Sequence, residues 1–526
     1  MTRPARIQAR PLLAAVLLAT LAFGLGFAND FVPCPPLVLL CPVALALLSR
    51  HAPSDRVAFL LGWLAILPGH VWALYWLVLP LSQVGGLPPA GAAGCMFFVC
   101  VALATQGGLF TLLARRFWVP ASALSGLALG LTWYLLEYGY AAVAGFPWLQ
   151  VSGALALWPV LVQASDLVGS LCLGGLWVAA AILVCGGICP TGAARARGPI
   201  LAGLLIAALL LGYGAFALNR SPVQALPEGE DTFPAILVEG NVDQNQKWVE
   251  AFRRGTVTDY LRLSRAALAE AERRWDHDDL RSGVIIWPET AMPFDLQRSP
   301  LTGELMVLAR EARMPLVTGA IGQEAGNRVY NRVYLMDDLG QPAGHYDKEH
   351  LVPFGEYVPA FFQWGFLEGL LQEVGAYSKG TRTEPLRCGR LAFGPLICYE
   401  GIFPWLAQER VAKGANILLD VSNDGWFGDT PAPRQHLALT TLRALEQKRW
   451  ILRGTNTGIS CAIDTRGRIV LRGGQFQAGA VLARARLIEE TSPFHTTSPF
   501  IPPLAILALA LIGWRQYRDK SHAATE

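Results

Sequence analysis

The chain has 526 residues, 53% of them hydrophobic and only 16% charged, with a formal net charge of +3. A charged share so far below the usual quarter does not describe a single soluble globular domain. The near-neutral balance provides no basic surface for nucleic acid.

Taken from the N-terminus, the charge deficit comes in long runs. No lysine or arginine occurs between Arg10 and Arg50, between Arg56 and Arg115, or between Arg116 and Arg195. One arginine at the centre of a membrane helix costs about 2.5 to 3.5 kcal/mol, so such runs read as bilayer segments. Cut into spans of about 20 residues, they fall at 11–28, 33–49, 57–79, 90–114, 119–141, 167–189 and 199–218, with an eighth at 497–514. Pro33, Pro35, Pro36 and Pro42 interrupt the second span. The basic residues Arg3, Arg6, Arg10, Arg50, Arg56, Arg115, Arg116, Arg195, Arg197, Arg515, Arg518 and Lys520 all fall on one side of such a bundle. The alternate loops, Asn29 to Phe31, Leu81 to Pro88 and Ala142 to Asp166, carry none. By the positive-inside rule both termini are cytoplasmic and the polar block lies outside the cytoplasm. A cleaved signal peptide ending near Ala28 is an alternative for the first span, with the same sidedness. The expected organisation is a membrane domain with seven helices over 1–220, an exported domain over 221–492, and a last helix with a cytoplasmic tail over 493–526.

Ten cysteines are present. Cys34, Cys41, Cys95, Cys100, Cys172, Cys185 and Cys189 sit in or near spans and read as packing residues. Cys185 and Cys189 share a helix face, but no histidine or carboxylate completes a zinc set. In the exported block, Cys388 and Cys461 read as structural.

That block alternates strands and helices, which argues an α/β layered domain. Ala235 to Asn241 predicts a first strand, and Gln246-Lys247-Trp248 opens a long helix to Trp275. The run Ser282 to Trp287 stops at Pro288-Glu289, where proline forbids a central strand from continuing. A helix near Gly303 to Arg313 and a strand from Leu316 to Gly322 follow. Val329 to Met336 and Gly344 to Lys348 flank Asp337-Asp338-Leu339-Gly340-Gln341, a hairpin turn that delivers Lys348. Phe361 to Leu371 is too apolar for a water-exposed loop, and either packs under the domain or dips into the outer leaflet. Leu391 to Ile397 is an apolar strand ending in Cys398-Tyr399-Glu400. A helix from Pro404 to Lys413, a strand from Asn416 to Asn423, a helix from Gln435 to Trp450 and a hairpin over Gly458 to Asp464 and Arg468 to Leu471 complete the block.

A cysteine ending a strand is a small hydrophobe or a nucleophile. Two further strand ends of the same kind decide between them. If the three end together, Glu289, Lys348 and Cys398 share one rim and form a set suited to acyl transfer. An ordinary thiol, with a pKa of about 8.5, is only slightly ionised at neutral pH. Lys348 would stabilise the thiolate and then an oxyanion, while Glu289 takes the thiol proton and returns it to the leaving group. The backbone N–H of Tyr399 could supply an oxyanion donor. Glu356 could hold the Lys348 ammonium.

Ile286-Trp287-Pro288-Glu289, Lys348-Glu349-His350-Leu351-Val352-Pro353-Phe354-Gly355-Glu356 and Ile397-Cys398-Tyr399-Glu400 resemble the Glu-Lys-Cys nitrilase superfamily. With the flanking spans, they look like its membrane-embedded apolipoprotein N-acyltransferase family. The resemblance implies a polytopic helical bundle of about eight transmembrane helices carrying an exported nitrilase-like αββα sandwich. It implies catalytic roles for Glu289, Lys348 and Cys398, and a site role for Glu356. Trp248 either contacts substrate, as a tryptophan on a mobile loop does in that family, or packs on the sheet. Asn423-Asp424-Gly425-Trp426-Phe427-Gly428 looks like a substrate-shaping loop, while Tyr399 and Glu400 either act through their side chains or support the elbow.

The activity implied is transfer of an acyl chain from a membrane phospholipid, through a Cys398 thioester, to the N-terminal amine of a diacylglyceryl-cysteine apolipoprotein. The expected setting is a bacterial inner membrane with the catalytic domain on the periplasmic side. The protein is expected to act as a monomer, with no cofactor, no metal and no nucleic acid. Two other readings stay open: a membrane-tethered amidase that uses water as acceptor, and a transporter or receptor whose exported block binds ligand. The second would call for ionisable residues within the spans, and only Glu137 and Asp166 offer themselves.

Overall fold

The computed structural model describes residues 9–83, 85–188, 196–353, 355–357 and 377–523. It divides into two compact units: Met1–Leu77, Ala93–Arg220 and Pro493–Glu526 in the first, and Val78–Ala92 and Ser221–Ser492 in the second.

The first unit is helical. Among the described residues, six helical stretches are long and apolar enough to cross a membrane: Ala9–Gly26, Asp55–Gln83, Pro89–Phe117, Ser170–Ile188, Arg197–Asn219 and Pro493–Arg518. Two of the expected spans differ. Pro35–Ser49 is a shorter apolar helix, as its prolines require. Ala123–Val143 is a full helix, but Trp133, Tyr134, Glu137, Tyr138 and Tyr140 dilute its apolar character. It packs closely on Ser170–Ile188 because Gly130 and Gly175 face each other, and a Cβ on either would meet the other's carbonyl oxygen. Such small-residue contacts are how membrane helices approach. Glu137 Oε1 accepts from Trp133 Nε1 and the Val151 N–H, both at 2.8 Å, and Asp166 accepts from the Tyr213 hydroxyl at 2.8 Å. Glu137 and Asp166 thus both have protein partners.

Among the described residues, the second unit is built on thirteen strands: β1 Thr232–Glu239, β2 Val284–Ile286, β3 Met292–Asp295, β4 Leu316–Glu324, β5 Arg328–Met336, β6 Pro342–Asp347, β7 Leu386–Cys388, β8 Leu391–Ile397, β9 Ile417–Ser422, β10 Ile451–Thr455, β11 Cys461–Ile463, β12 Ile469–Arg472 and β13 Gly479–Arg486. One sheet runs β13-β1-β2-β4-β5-β6 with β3 paired to β4, and the other runs β12-β11-β10-β9-β8-β7. Alternation along each strand divides the side chains between two cores. Phe233, Ala235, Leu237, Ile286, Val317 and Val333 meet Phe393, Ile397, Leu419, Val421 and Leu452 between the sheets. The opposite face of the first sheet, with Ile236, Val238, Ile285 and Leu316, packs on Val257, Tyr260, Leu305 and Leu308, from helices Arg253–Ala271 and Thr302–Ala312. Helix Pro404–Ala412 lies on β8, and Ala432–Gln447 lies on that helix and on the turn after β8. The result is an α/β sandwich in four layers.

Several sequence expectations are corrected. The long helix to Trp275 is broken into Gln244–Lys247, a short turn at Glu250–Phe252 and Arg253–Ala271, with Val249 extended at φ −79° and ψ 122° between them. The helix to Trp450 stops at Gln447, where Lys448 turns left-handed at φ 52°. The next residues form β10, and β10 and β13 had no place in the sequence reading. Phe361 to Leu371, Phe354, Cys189, Arg3, Arg6 and Arg195 lie outside the described residues.

Candidate active site

Glu289 follows β2, Lys348 follows β6 and Cys398 follows β8, and the structure brings all three together. Lys348 Nζ lies 2.9 Å from Glu356 Oε1 and 3.6 Å from Glu289 Oε1, with Lys348 only 1% exposed. The Cys398 thiol is close enough to feel both Glu289 and Lys348 electrostatically. Asn331, midway along β5, joins the two carboxylates. Its Nδ2 donates to Glu289 Oε1 at 2.7 Å and to Glu356 Oε1 at 2.8 Å, and its carbonyl accepts the Lys348 N–H at 2.9 Å. Glu356 is fixed further by the Val352 N–H on Oε2 at 2.8 Å. Among the described residues, Glu289 Oε2 has no hydrogen-bond partner although it is buried. A carboxylate anchored on one oxygen and open on the other is arranged to accept a proton.

Burial alone would depress the Lys348 ammonium, but the carboxylates of Glu356 and Glu289 outweigh it and hold the group charged, well above its usual range. The thiol behaves in the opposite way. Burial pushes the Cys398 thiol up and Glu289 adds to the rise, so Lys348 only partly offsets them. Burial thus works against the thiolate that the Lys348 ammonium favours.

The elbow is strained. Cys398 has φ +53°, a left-handed conformation that costs a non-glycine residue about 1 to 2 kcal/mol. Glu400 supports it from a fully buried position. Its Oε2 accepts the Ile397 N–H at 2.8 Å, while Oε1 accepts the Glu349 and His350 N–H groups at 2.7 and 2.9 Å and the Tyr346 hydroxyl at 2.8 Å. One side chain thereby ties the strand end carrying Lys348 to the strand end carrying Cys398. Tyr399 is buried, its ring packed edge-on to Phe403 with centroids 5.1 Å apart.

Three groups that sequence reading did not single out complete the surroundings. The His436 ring donates from Nε2 to the Cys398 carbonyl oxygen at 3.1 Å, since a carbonyl can only accept. His436 Nδ1 lies 3.1 Å from Asp424 Oδ1, and Arg453 Nη2 reaches Asp424 Oδ2 at 3.0 Å and His436 Nδ1 at 3.1 Å. Burial would raise the Asp424 carboxyl, but Arg453 and His436 outweigh it and hold it well below the usual carboxylate range. Ligand atoms of Cys398, Asp424 and His436 lie within 4.8 Å of one another, yet the Arg453 guanidinium occupies the position from which it would repel a cation. The cluster reads as a support for the elbow.

Lys247 is the third. It turns inward at 1% exposure and donates from Nζ to the Glu289 carbonyl oxygen at 3.2 Å. The next residue, Trp248, is 39% exposed and is not brought into the cluster. Asn423 is fully buried, its Oδ1 accepting from Asn456 Nδ2 at 3.3 Å. Trp426 is half-buried in the turn Asp424–Phe427, against which the helix Val78–Gln83 of the same unit packs. Cys388, Cys398 and Cys461 are all free thiols.

Comparison with known proteins matches residues 246–490 to the carbon-nitrogen hydrolase family model, and residues 15–183 to the model of the apolipoprotein N-acyltransferase N-terminal domain. An apolipoprotein N-acyltransferase of Geobacter metallireducens is 34% identical over 96% of this chain and 96% of its own length. A protein of the same name from Brucella suis is 33% identical over 84% of this chain and 82% of its own. A crystal structure of a carbon-nitrogen hydrolase from Helicobacter pylori G27 aligns with 52% of this chain and 93% of that one, at 12% identity and a TM-score of 0.37.

Proposed function

This chain belongs to the apolipoprotein N-acyltransferase family, and from that membership we propose the route by which it acts, with Cys398 as nucleophile, Glu289 as general acid and base, and Lys348 as the cation steadying the transition state. The activity is lipoprotein N-acylation by an enzyme of the nitrilase superfamily. The observation that carries the assignment is the buried Lys348 ammonium, 2.9 Å from Glu356 and 3.6 Å from Glu289, beside the Cys398 thiol.

In the first half-reaction Glu289 takes the thiol proton as sulfur attacks the ester carbonyl of a phospholipid. The new C–S bond forms, Lys348 and the Tyr399 backbone N–H stabilise the oxyanion, and the ester C–O bond breaks as Glu289 returns the proton to the leaving lysophospholipid oxygen. In the second, the neutral N-terminal amine of a diacylglyceryl-cysteine apolipoprotein attacks the thioester. Glu289 takes a proton from nitrogen, the C–S bond breaks, and the proton returns to sulfur. Glu356 holds Lys348, while Glu400 and Tyr399 support the elbow. Trp248, Asn423 and Trp426 border the approach of substrate. The distribution of arginine and lysine supports a domain order of 1–220, 221–492 and 493–526, with the catalytic domain on the periplasmic side of an inner membrane and both termini cytoplasmic.

The test is incubation of purified protein with acyl-labelled phospholipid and no acceptor. A hydroxylamine-sensitive adduct is expected, and it should be absent in Cys398→Ala. An adduct on the alanine variant would end the nucleophile assignment, and release of the acyl chain to water at the rate seen with an amine would favour the amidase reading.

A further inference from the structure

Gly425 lies in the turn after β9, and polar side chains from three separate segments converge beside it. A methyl group on its Cα would lie 3.0 Å from Thr457 Oγ1, 3.1 Å from Gln244 Nε2 and 3.2 Å from Asn423 Oδ1. Around that point Gln244 Nε2, Gln244 Oε1, Thr457 Oγ1 and Asn423 Nδ2 are buried and pair with no described residue. Asn423 is fully buried and Thr457 is 9% exposed. Native interiors leave few such atoms, because each bears its full desolvation cost. Four in one place point to a partner from outside the fold.

The chemistry of that partner can be read from the set. Gln244 and Asn423 offer amide N–H donors, while Gln244 Oε1 and the Thr457 hydroxyl accept. All are neutral. The two nearby basic side chains are committed elsewhere, Lys247 to the Glu289 carbonyl and Arg453 to Asp420 and Asp424. A phosphodiester calls for cations or a row of N–H groups, whereas a mixed neutral set matches the N–H and C=O of a peptide unit. The location fits as well. Asn423 follows Ser422, whose side chain is near enough to the Cys398 thiol to influence it, and Gln244 precedes Lys247 on one short helix.

We propose that Gln244, Asn423 and Thr457 form a subsite for the main chain of the acceptor polypeptide next to its reactive amine, and that the phosphodiester of the acyl donor does not bind there. This rests on the N-acyl transfer reading above, and its test separates the two. Full-length protein carrying Thr457→Val, Gln244→Ala or both is loaded with labelled phospholipid and then given one of two acceptors. One is a diacylglyceryl-cysteine peptide extending several residues, and the other is diacylglyceryl-cysteine methyl ester, which has the amine but no peptide unit.

The peptide acceptor should lose roughly five- to tenfold in kcat/KM for each hydrogen bond removed, while the ester changes less than twofold. The effect should be confined to the second half-reaction. Equal losses for both acceptors, or no loss for either as expected if only water fills the site, would overturn the proposal. So would a matching fall in adduct formation by Thr457→Val, which keeps the shape of the side chain and separates donor binding from a failure of Gln244→Ala to fold. Absence of any adduct on the unsubstituted protein would instead strike at the N-acyl transfer reading.

Discussion

Replacing Lys247 by methionine should make the protein more stable and less active. Burial pushes the Lys247 amine down from 10.5 to about 7, with Glu289 partly opposing the fall. The unfolded chain therefore holds one more proton than the folded one between pH 7 and 10.5, and stability from this group rises with pH across that window. At about 1.36 kcal/mol per pKa unit, the penalty at pH 7 is roughly 4 kcal/mol, and it fades toward pH 10. Methionine keeps the stem and removes the penalty, but leaves the Glu289 carbonyl without its donor, at a cost of about 1 to 3 kcal/mol. The net gain at pH 7 is then roughly 2 kcal/mol, or a rise in Tm of about 4 to 8 °C for a unit of this size. Thermal unfolding of both proteins in detergent, from pH 6.5 to 9.5, should give a difference that shrinks and then reverses as pH rises. Adduct formation should slow at least about tenfold, because the base loses a main-chain clamp and its position shifts. A Lys247→Met protein less stable by the same amount at every pH would refute the account of a desolvated amine.

Two further outcomes follow from the same geometry. Gly319→Ala should destabilise the catalytic unit by about 1 to 3 kcal/mol and impair adduct formation more than peptide-acceptor affinity. Its Cβ would collide with the backbone of Pro288, Glu289 and Thr290, where Thr290 already sits at φ +44°, and unchanged adduct rates would show that the turn tolerates the shift. Because burial raises the Cys398 thiol, inactivation by iodoacetamide should be slow at pH 7 and climb continuously through pH 9, whereas rapid inactivation at pH 6 would demonstrate a preformed thiolate.

Glu289 and Cys398 were legible because each closes an apolar run, and Lys348 because a hairpin turn delivers it at a strand end. Glu356 was legible because it lies a short loop beyond the ammonium it holds. What escaped were polar groups turned inward from regular elements. Arg453 breaks the apolar run Ile451-Leu452, so β10 carries no clear strand signal between the predicted helix ending at Trp450 and the hairpin from Gly458. In the folded chain its guanidinium is neutralised by Asp420 and Asp424, a pairing that periodicity does not report. Asn331 sits between Tyr330 and Arg332 and reads as an ordinary strand polar, although it bridges the two carboxylates. In β13 the alternation through Ala483, Arg484, Ala485 and Arg486 was present as a signal. Its small residues gave too little apolar contrast to mark a strand, even though they are wholly buried against β1.

The buried charges add to the effect of burial on the thiol. With Lys247 neutral, the pocket holds two carboxylates and one ammonium, a net charge of −1 from Glu289, Glu356 and Lys348. Ionising Cys398 alone would add a second negative charge to a site from which water is largely excluded, where such a change is costly. In the proposed cycle that never happens. When Glu289 accepts the thiol proton it becomes neutral as the negative charge appears on the substrate oxygen beside Lys348. When it gives the proton up, its own charge returns as the oxyanion collapses. The neutral amine repeats the exchange. Net charge stays constant while one proton moves over a short distance, so the fixed groups need not reorganise at any step.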